Sequence, residues 1–443
     1  MSMLLARFWD TACSKGKAVI RKNYSKNVIW LSVERITRIA ISFLVGILVA
    51  RYLGPEQYGL LHYSISLVFL FSVFCTLGLD NVVIKELVKA DIPRDTVLGT
   101  AFLLKCIGAV FSIIFVLIAI LFLGGSLEEK FLVLIVAVAS VFTIFSVIDF
   151  YFQSEVMSKY VAWANFLVTF VSGLIKITLL YLNASLLFFA GVIVVEGALL
   201  ASALVVFYRL NGLSLLRWRF DWAIGQKLLL ESWPLIASAF LIALYMKIDQ
   251  VMLKFMAGSE AVGQYAVAVQ ISEAWYFFPI IIVGSLFPAI INAKQRSHDE
   301  YILKMTRLYS LVISMSICVA ILIWLFGTPL INGLYGDQYF ASGSIVEVHA
   351  WAGVFVAMGL VYSRFLVCEG LTKKSFYRNL LGAVANVLLN IYLIPRFGGI
   401  GAAWATVLAL SLSSYWYDLF DKDVRGQFYV KSRAFNPLMI LRK

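Results

Sequence analysis

The chain has 443 residues, 62% of them hydrophobic and only 14% charged, and its mean hydropathy is +0.90. Soluble domains run at roughly 45–50% apolar and 25% charged, so a water-soluble globular protein is excluded and an all-α integral membrane protein is expected. The net charge of +12 is read as a topological signal of a membrane protein, which speaks against a nucleic acid as partner.

Residues 1–27 are basic and aromatic and lack the short apolar core of a cleavable signal peptide, so the first apolar run is expected to serve as the insertion signal. Twelve runs follow, each near the roughly 20 residues that cross a bilayer at 1.5 Å per residue. They cover 28–52, 59–79, 97–123, 131–152, 160–182, 186–208, 229–256, 262–291, 304–327, 343–368, 376–394 and 398–419. Pro279 and Pro288 are expected to kink the eighth run or end it early. The longest interruption, 209–228, is rich in Trp and Arg and reads as a linker at headgroup level between a six-helix bundle at 28–208 and another at 229–420. A basic tail, 421–443, ends the chain.

Placing the N-terminus in the cytoplasm puts about 26 Lys and Arg on the inner side and about three (Arg51, Lys130, Arg396) on the outer. Lys373, Lys374, Arg378, Lys431 and Arg433 belong to the inner set. Both termini are therefore expected in the cytoplasm, with the protein multi-pass in the inner, cytoplasmic membrane. The outer loops are short, so function is expected to lie in the helices.

Two turns carry the same punctuation. Gly54-Pro55-Glu56-Gln57-Tyr58-Gly59 and Gly258-Ser259-Glu260-Ala261-Val262-Gly263 both read G-x-E-x-x-G between apolar runs. A second echo aligns Glu155, Lys159 and Asn165 with Glu369, Lys373 and Asn379. The chain therefore reads as two related halves, as in transporters whose halves rock about a shared central site. Glycines at such junctions allow a tight reversal and close packing; the competing reading is a phosphate held by backbone N–H groups.

Ionisable groups at bilayer depth cost at least about 2.5–3.5 kcal/mol on insertion scales, so they face a cavity, pair or snorkel. The first run carries Glu34, Arg35 and Arg38, the seventh Lys247, Asp249 and Lys254, the eighth Glu273 and the tenth Arg364. For Arg38 a cavity role and a pairing with Glu34 or a neighbouring helix both stand; for Asp249 an internal ion pair competes with ligand or ion binding. Lys105, Lys176, Glu196, Arg307 and Glu347 read as isolated charges. Cys13, Cys75, Cys106, Cys318 and Cys368 have no C-x-x-C spacing, and His62, His298 and His349 no metal-ligand spacing, so neither a disulfide framework nor a metal site is expected.

The segment Ala50 to Gly59, A-R-Y-L-G-P-E-Q-Y-G, resembles a signature of the polysaccharide biosynthesis proteins, the O-antigen and teichuronic-acid type flippases often called Wzx. Arg51, Gly54, Glu56 and Gly59 are its marked positions. Ile248 to Leu253, then Val262 to Tyr265 and Ile271 to Glu273, resemble the family's second conserved stretch, around Gly258, Glu260 and Gly263. The resemblance implies the multidrug/oligosaccharidyl-lipid/polysaccharide exporter fold: two pseudo-symmetric six-helix bundles, MATE-like, around a central cavity. It places Arg35, Arg38, Lys247, Asp249 and Glu273 where cavity residues belong, with Arg364 as a further candidate. It implies a flippase and no enzyme, acting on polyprenyl-diphosphate-linked oligosaccharide, with the bilayer and a polymerase and chain-length regulator as partners. No cofactor is expected, and a coupling Na⁺ or H⁺ is left open. A cation-coupled multidrug exporter of the same fold, or a membrane enzyme acting on lipid-linked glycans, are the alternatives.

Overall fold

The structure, a computed structural model, describes residues 2–440, with side chains from Ile36 onward except Thr372. Helices run through almost the whole chain, and no strand occurs among the described residues. In order they are α1 (Ser2–Thr76), α2 (Asp80–Lys89), α3 (Arg94–Leu123), α4 (Leu127–Val141), α5 (Ser146–Ser154), α6 (Lys159–Tyr181) and α7 (Leu186–Leu210). The second half holds α8 (Trp222–Glu273), α9 (Phe277–Arg296), α10 (His298–Tyr335), α11 (Phe340–His349), α12 (Ala352–Cys368), α13 (Thr372–Ser411), α14 (Tyr417–Phe420) and α15 (Arg425–Ala434).

Among the described residues, eight continuous helical stretches are long and apolar enough to span a membrane, or nine when the bent pair 337–349 and 352–368 counts as one span. Three of these stretches are divided at Gly54, Gly258 and Gly398, whose φ of 69°, 90° and 53° lie in the left-handed region that side chains avoid. Divided there, the stretches yield twelve segments, matching the twelve predicted spans. The eighth run breaks at 274–276, before Pro279. That proline then sits in the first turn of α9, where its missing N–H costs nothing.

The repeat also shows in the backbone. α5 ends at Ser154 and α6 begins at Lys159; α12 ends at Cys368 and α13 begins at Thr372. The echoed Glu155 and Glu369 cap the two ends.

The chain divides into two compact units: Met1–Gly46 with Phe71–Gly125 and Leu134–Ile236, and Ile47–Leu70 with Ser126–Val133 and Ala237–Lys443. The first is built on an apolar core from Leu79 to Leu228, including Val97, Leu98, Phe152 and Tyr208. Within it the predicted linker folds back on α3. The Arg219 N–H donates to Asp95 O at 3.1 Å, and Trp218 Nε1 to Tyr208 Oη at 3.1 Å.

The second unit has a core of α9, α10, α12 and α15 residues, with Tyr309, Val312, Met358 and Val361 fully buried. The basic tail does not simply extend into solvent: α15 docks here, with Lys431 wholly buried and its Nζ donating to Asp418 Oδ2 at 2.6 Å. Lys374 Nζ meets Asp421 Oδ2 at 2.6 Å just before α15. Burial would raise the Asp421 pKa, but the lysine, the Tyr417 hydroxyl and the Asp423 N–H outweigh it and hold the carboxyl below its ordinary value.

Candidate functional site

The two G-x-E-x-x-G turns meet each other inside the second unit. A Cβ placed on Gly59 would lie 1.9 Å from Ser259 O, and one on Gly263 would lie 1.9 Å from Pro55 O. The two contacts are related by the repeat, since 59 pairs with 263 and 55 with 259 at one offset. Only glycine permits this approach, the small-residue packing by which membrane helices come close. Close packing is thus the role seen for the second glycine of each motif, while Gly54 and Gly258 supply the bends. Arg51, Glu56 and Glu260 project from the turns as exposed side chains.

Further bonds hold the Gly54 turn. Tyr339 Oη donates to Ala50 O at 2.8 Å and Gln338 Nε2 to Arg51 O at 2.9 Å. Gln264, beside Gly263, donates to Gln338 O and accepts from the Ser342 N–H and hydroxyl. Lower down, Ser66 donates to Gln250 at 2.6 Å and Tyr58 to Gln270 at 2.9 Å, both between the two repeated elements.

Among the charged candidates, Lys247 and Glu273 are near enough to feel each other's charge without forming an ion pair. Both are partly exposed, and Lys247 lies within electrostatic reach of His62 and Glu273. Asp249 stands about 200° around the helix from Lys247, at two residues and about 100° each, and is turned into its own bundle. It is 3% exposed and has no ion-pair partner among the described residues. Instead Asn390 Nδ2 donates to Oδ1 at 2.6 Å, and Tyr265 Oη and Thr406 Oγ1 donate to Oδ2 at 2.8 and 2.5 Å. Asn386 joins through Asn390 at 3.1 Å. A buried carboxylate among neutral oxygen-bearing groups suits a hard monovalent cation or a proton, because it has no fixed positive partner.

The remaining candidates stand apart. Arg364 is exposed and lies over the Phe287 ring at 5.3 Å, where stacking explains it. Arg38 is exposed and falls in the first unit; the side chain of Arg35 is outside the described residues. Several charges expected to be isolated have partners. Lys176 pairs with Glu196 at 2.7 Å, Lys105 donates to Ser146 at 2.6 Å, and Glu347 accepts from Thr328 at 2.8 Å. Lys254 pairs with Glu129 at 2.8 Å, near the Ser259 hydroxyl at 2.7 Å. The two ion pairs, Lys176 with Glu196 and Lys254 with Glu129, offset the cost of a charge at depth, while the hydroxyls beside Lys105 and Glu347 supply a hydrogen bond only.

Arg378 departs from expectation. Counted with the inner loop charges, it is 7% exposed and points into the second unit, because α13 already begins at Thr372 and carries it inward. Asn386, Asn390, Thr406 and Tyr265 were not singled out by sequence reasoning. The i, i+4 spacing of Asn386 and Asn390 on an apolar helix was the available signal.

Comparison with known proteins follows this geometry. A family model described as "Polysaccharide biosynthesis protein" matches residues 24–294, more than half the chain, and one described as "MatE" matches 234–392. An uncharacterized membrane protein of Methanocaldococcus jannaschii is 23% identical over 86% of this chain and 80% of its own. A probable flippase of Haloferax volcanii, AglR, is 29% identical over 46% of this chain and 41% of its own, so that match spans under half of either. The structure of the lipid II flippase MurJ, inward closed, superposes with a TM-score of 0.69 at 16% identity, covering 94% and 92% of the two chains. An inward-facing multidrug resistance MATE family transporter gives 0.66 at 14% identity, covering 93% and 99%. At these identities the structures establish a shared fold, the MATE-like exporter fold of membrane transporters.

Proposed function

The chain belongs to the polysaccharide biosynthesis protein family, and from that premise we propose that it is a flippase. It moves polyprenyl-diphosphate-linked oligosaccharide repeat units from the cytoplasmic to the outer leaflet by alternating access. The observation that carries the reading is the reciprocal contact of the repeated glycine turns. Two equivalent hairpins that touch through glycine backbones can part as rigid bodies, as a gate formed by two halves must. In this reading the turns lie on the outer side and their packing is the closed gate.

The physical task is to carry a diphosphate and many hydroxyls through hydrocarbon, where each unsatisfied polar group costs several kcal/mol. Cationic side chains would hold the diphosphate by charge-assisted hydrogen bonds while the prenyl chain stays in lipid; the candidates are Lys247 and, as the family resemblance implies, Arg35 and Arg38. Glu273 offsets part of the Lys247 charge when no substrate is present. No bond is made or broken. Asp249, with Asn390 and Thr406, is where a coupling Na⁺ or H⁺ would act; the same pocket would serve the alternative reading, a cation-coupled multidrug exporter. The inner membrane, O-antigen or lipopolysaccharide biosynthesis, and polymerase and chain-length partners belong to this proposal. Proteoliposomes given a fluorescent polyprenyl-diphosphate oligosaccharide test it. Protein-dependent exposure of label on the far leaflet is expected; cationic dye efflux without glycan movement would favour the exporter instead.

A further inference from the structure

A second charged group lies within the second unit, away from the gate. Arg378 lines a cavity of about 240 Å³ between α8, α12 and α13 and the turn that follows α13. Its surface includes Tyr245, Ser375, Asn379 and Ser414. Residues 412–416 form a single π-helical turn, which brings Ser413 and Ser414 to the cavity wall. Such a turn carries one residue more than an α-helix would, and π-bulges frequently mark functional sites.

Only one guanidinium nitrogen of Arg378 is occupied. Nη2 donates to Ser363 Oγ at 3.2 Å and to Asn379 Oδ1 at 3.3 Å. Nε and Nη1 are buried and have no hydrogen-bond partner among the described residues. Arg378 also has no carboxylate partner in any ion pair of the described residues.

The charges nearby do not cancel. Lys431 and Arg378 share the Tyr362 ring, with the ammonium 3.4 Å and the guanidinium 5.0 Å from its centre. Asp418 is the carboxylate among them, and it is held by Lys431. Two buried cations against one carboxylate leave about one positive charge uncompensated, which is costly in a low-dielectric interior. Asp249 does not reach it. It stands behind Asn386 and Thr406, and both of its oxygens are taken by neutral donors.

We propose that this cavity binds a small inorganic anion, a halide or a tetrahedral oxyanion, on Arg378. The hydroxyls of Ser375, Ser414 and Tyr245 complete its shell. The cavity is smaller than the roughly 300–1,000 Å³ pockets that take drug-sized ligands, yet holds several times a water's roughly 30 Å³ share. A free ion fits it, and a lipid-linked glycan does not. The anion neutralises the cluster that fastens α15 to the bundle, so its occupancy strengthens the docking of the C-terminal segment.

The test uses the full chain, purified in detergent, with equilibrium binding of radiolabelled sulfate and of iodide in a gluconate buffer of constant ionic strength. One ion per protein is expected for at least one probe. Affinity should fall at least tenfold in Arg378→Gln and less in Arg378→Lys. Ser375→Leu, which keeps the charge and fills the space, should also lose binding. Lys89→Ala, an exposed cation outside the cavity lining, should bind as wild type does, and the assay needs no transport, so a failed flippase reading leaves this result standing. Binding of neither probe by wild type, or equal binding by wild type and a monodisperse Arg378→Gln, overturns the proposal. Native mass spectrometry separates the sources: a phospholipid retained by wild type and lost in Arg378→Gln would assign the guanidinium to a lipid phosphate and overturn the free-ion site.

Discussion

Replacing Gly263 by Ala should shift the balance between packed and separated turns. The added Cβ would stand 1.9 Å from Pro55 O, whereas carbon–oxygen contacts settle at about 3.3–3.6 Å. The turns must therefore move apart by more than about 1 Å, and since the obstacle is backbone, no side-chain rotation relieves it. Overpacking of this kind costs about 1–3 kcal/mol, which corresponds to a roughly 5- to 150-fold change in the ratio of the two arrangements. Alanine's better helix propensity, about 1 kcal/mol over glycine, applies to both arrangements and leaves that ratio untouched. Gly59→Ala should do the same through Ser259 O. The double variant should cost less than the sum, because the first clash already separates the turns. Spin labels at Glu56→Cys and Glu260→Cys, in a background without native cysteines, report the distance by electron resonance. The expected result is a short distance in the parent and a growing long-distance population in each Ala variant. An unchanged distribution in Gly263→Ala would refute the reasoning.

Asp249→Ala should lower thermal stability, since Tyr265, Thr406 and Asn390 each lose a buried acceptor at about 1–3 kcal/mol, while Asp249→Asn should stay folded and lose ion-dependent transport; a melting curve with and without Na⁺ separates the two effects. Gln264→Leu should loosen the turn at 338–339 and the start of α11, because it removes three hydrogen bonds at once, and hydrogen exchange there should rise at least tenfold. The lowered Asp421 pKa means that the unfolded carboxyl binds protons first as pH falls. The stability it lends to the C-terminal segment is therefore present above its unfolded pKa of about 3.9 and is lost as pH drops through its lower folded pKa. Exchange in 425–434, corrected for intrinsic rate, should show protection at pH 6 and reduced protection at pH 3.

The fold was legible because membrane helices declare themselves by length and apolarity, and because glycine marks three of the places where they bend, Gly54, Gly258 and Gly398. Gly54 and Gly258 stood out as a repeat, and their partners Gly59 and Gly263 as candidates for close packing; that the two turns pack on each other is a tertiary fact that no local pattern encodes. The surroundings of Asp249 were hidden for a related reason. Thr406 and Asn390 lie 157 and 141 positions away, are uncharged, and become visible only when α13 is laid against α8. Charge was the misleading signal at Arg378 and Lys431. Counted among the loop and tail cations that set topology, both prove buried, since helix docking can carry a flanking cation inward once a tyrosine face receives it, joined at Lys431 by the Asp418 carboxylate.

The central claim is that cationic side chains hold the diphosphate during translocation, and leaflet exposure of a fluorescent polyprenyl-diphosphate oligosaccharide in proteoliposomes tests it most directly. Wild type should translocate, Arg38→Ala with Lys247→Ala should fall to the protein-free rate while remaining folded, and Lys89→Ala should behave as wild type. Undiminished translocation by the double variant would contradict the account.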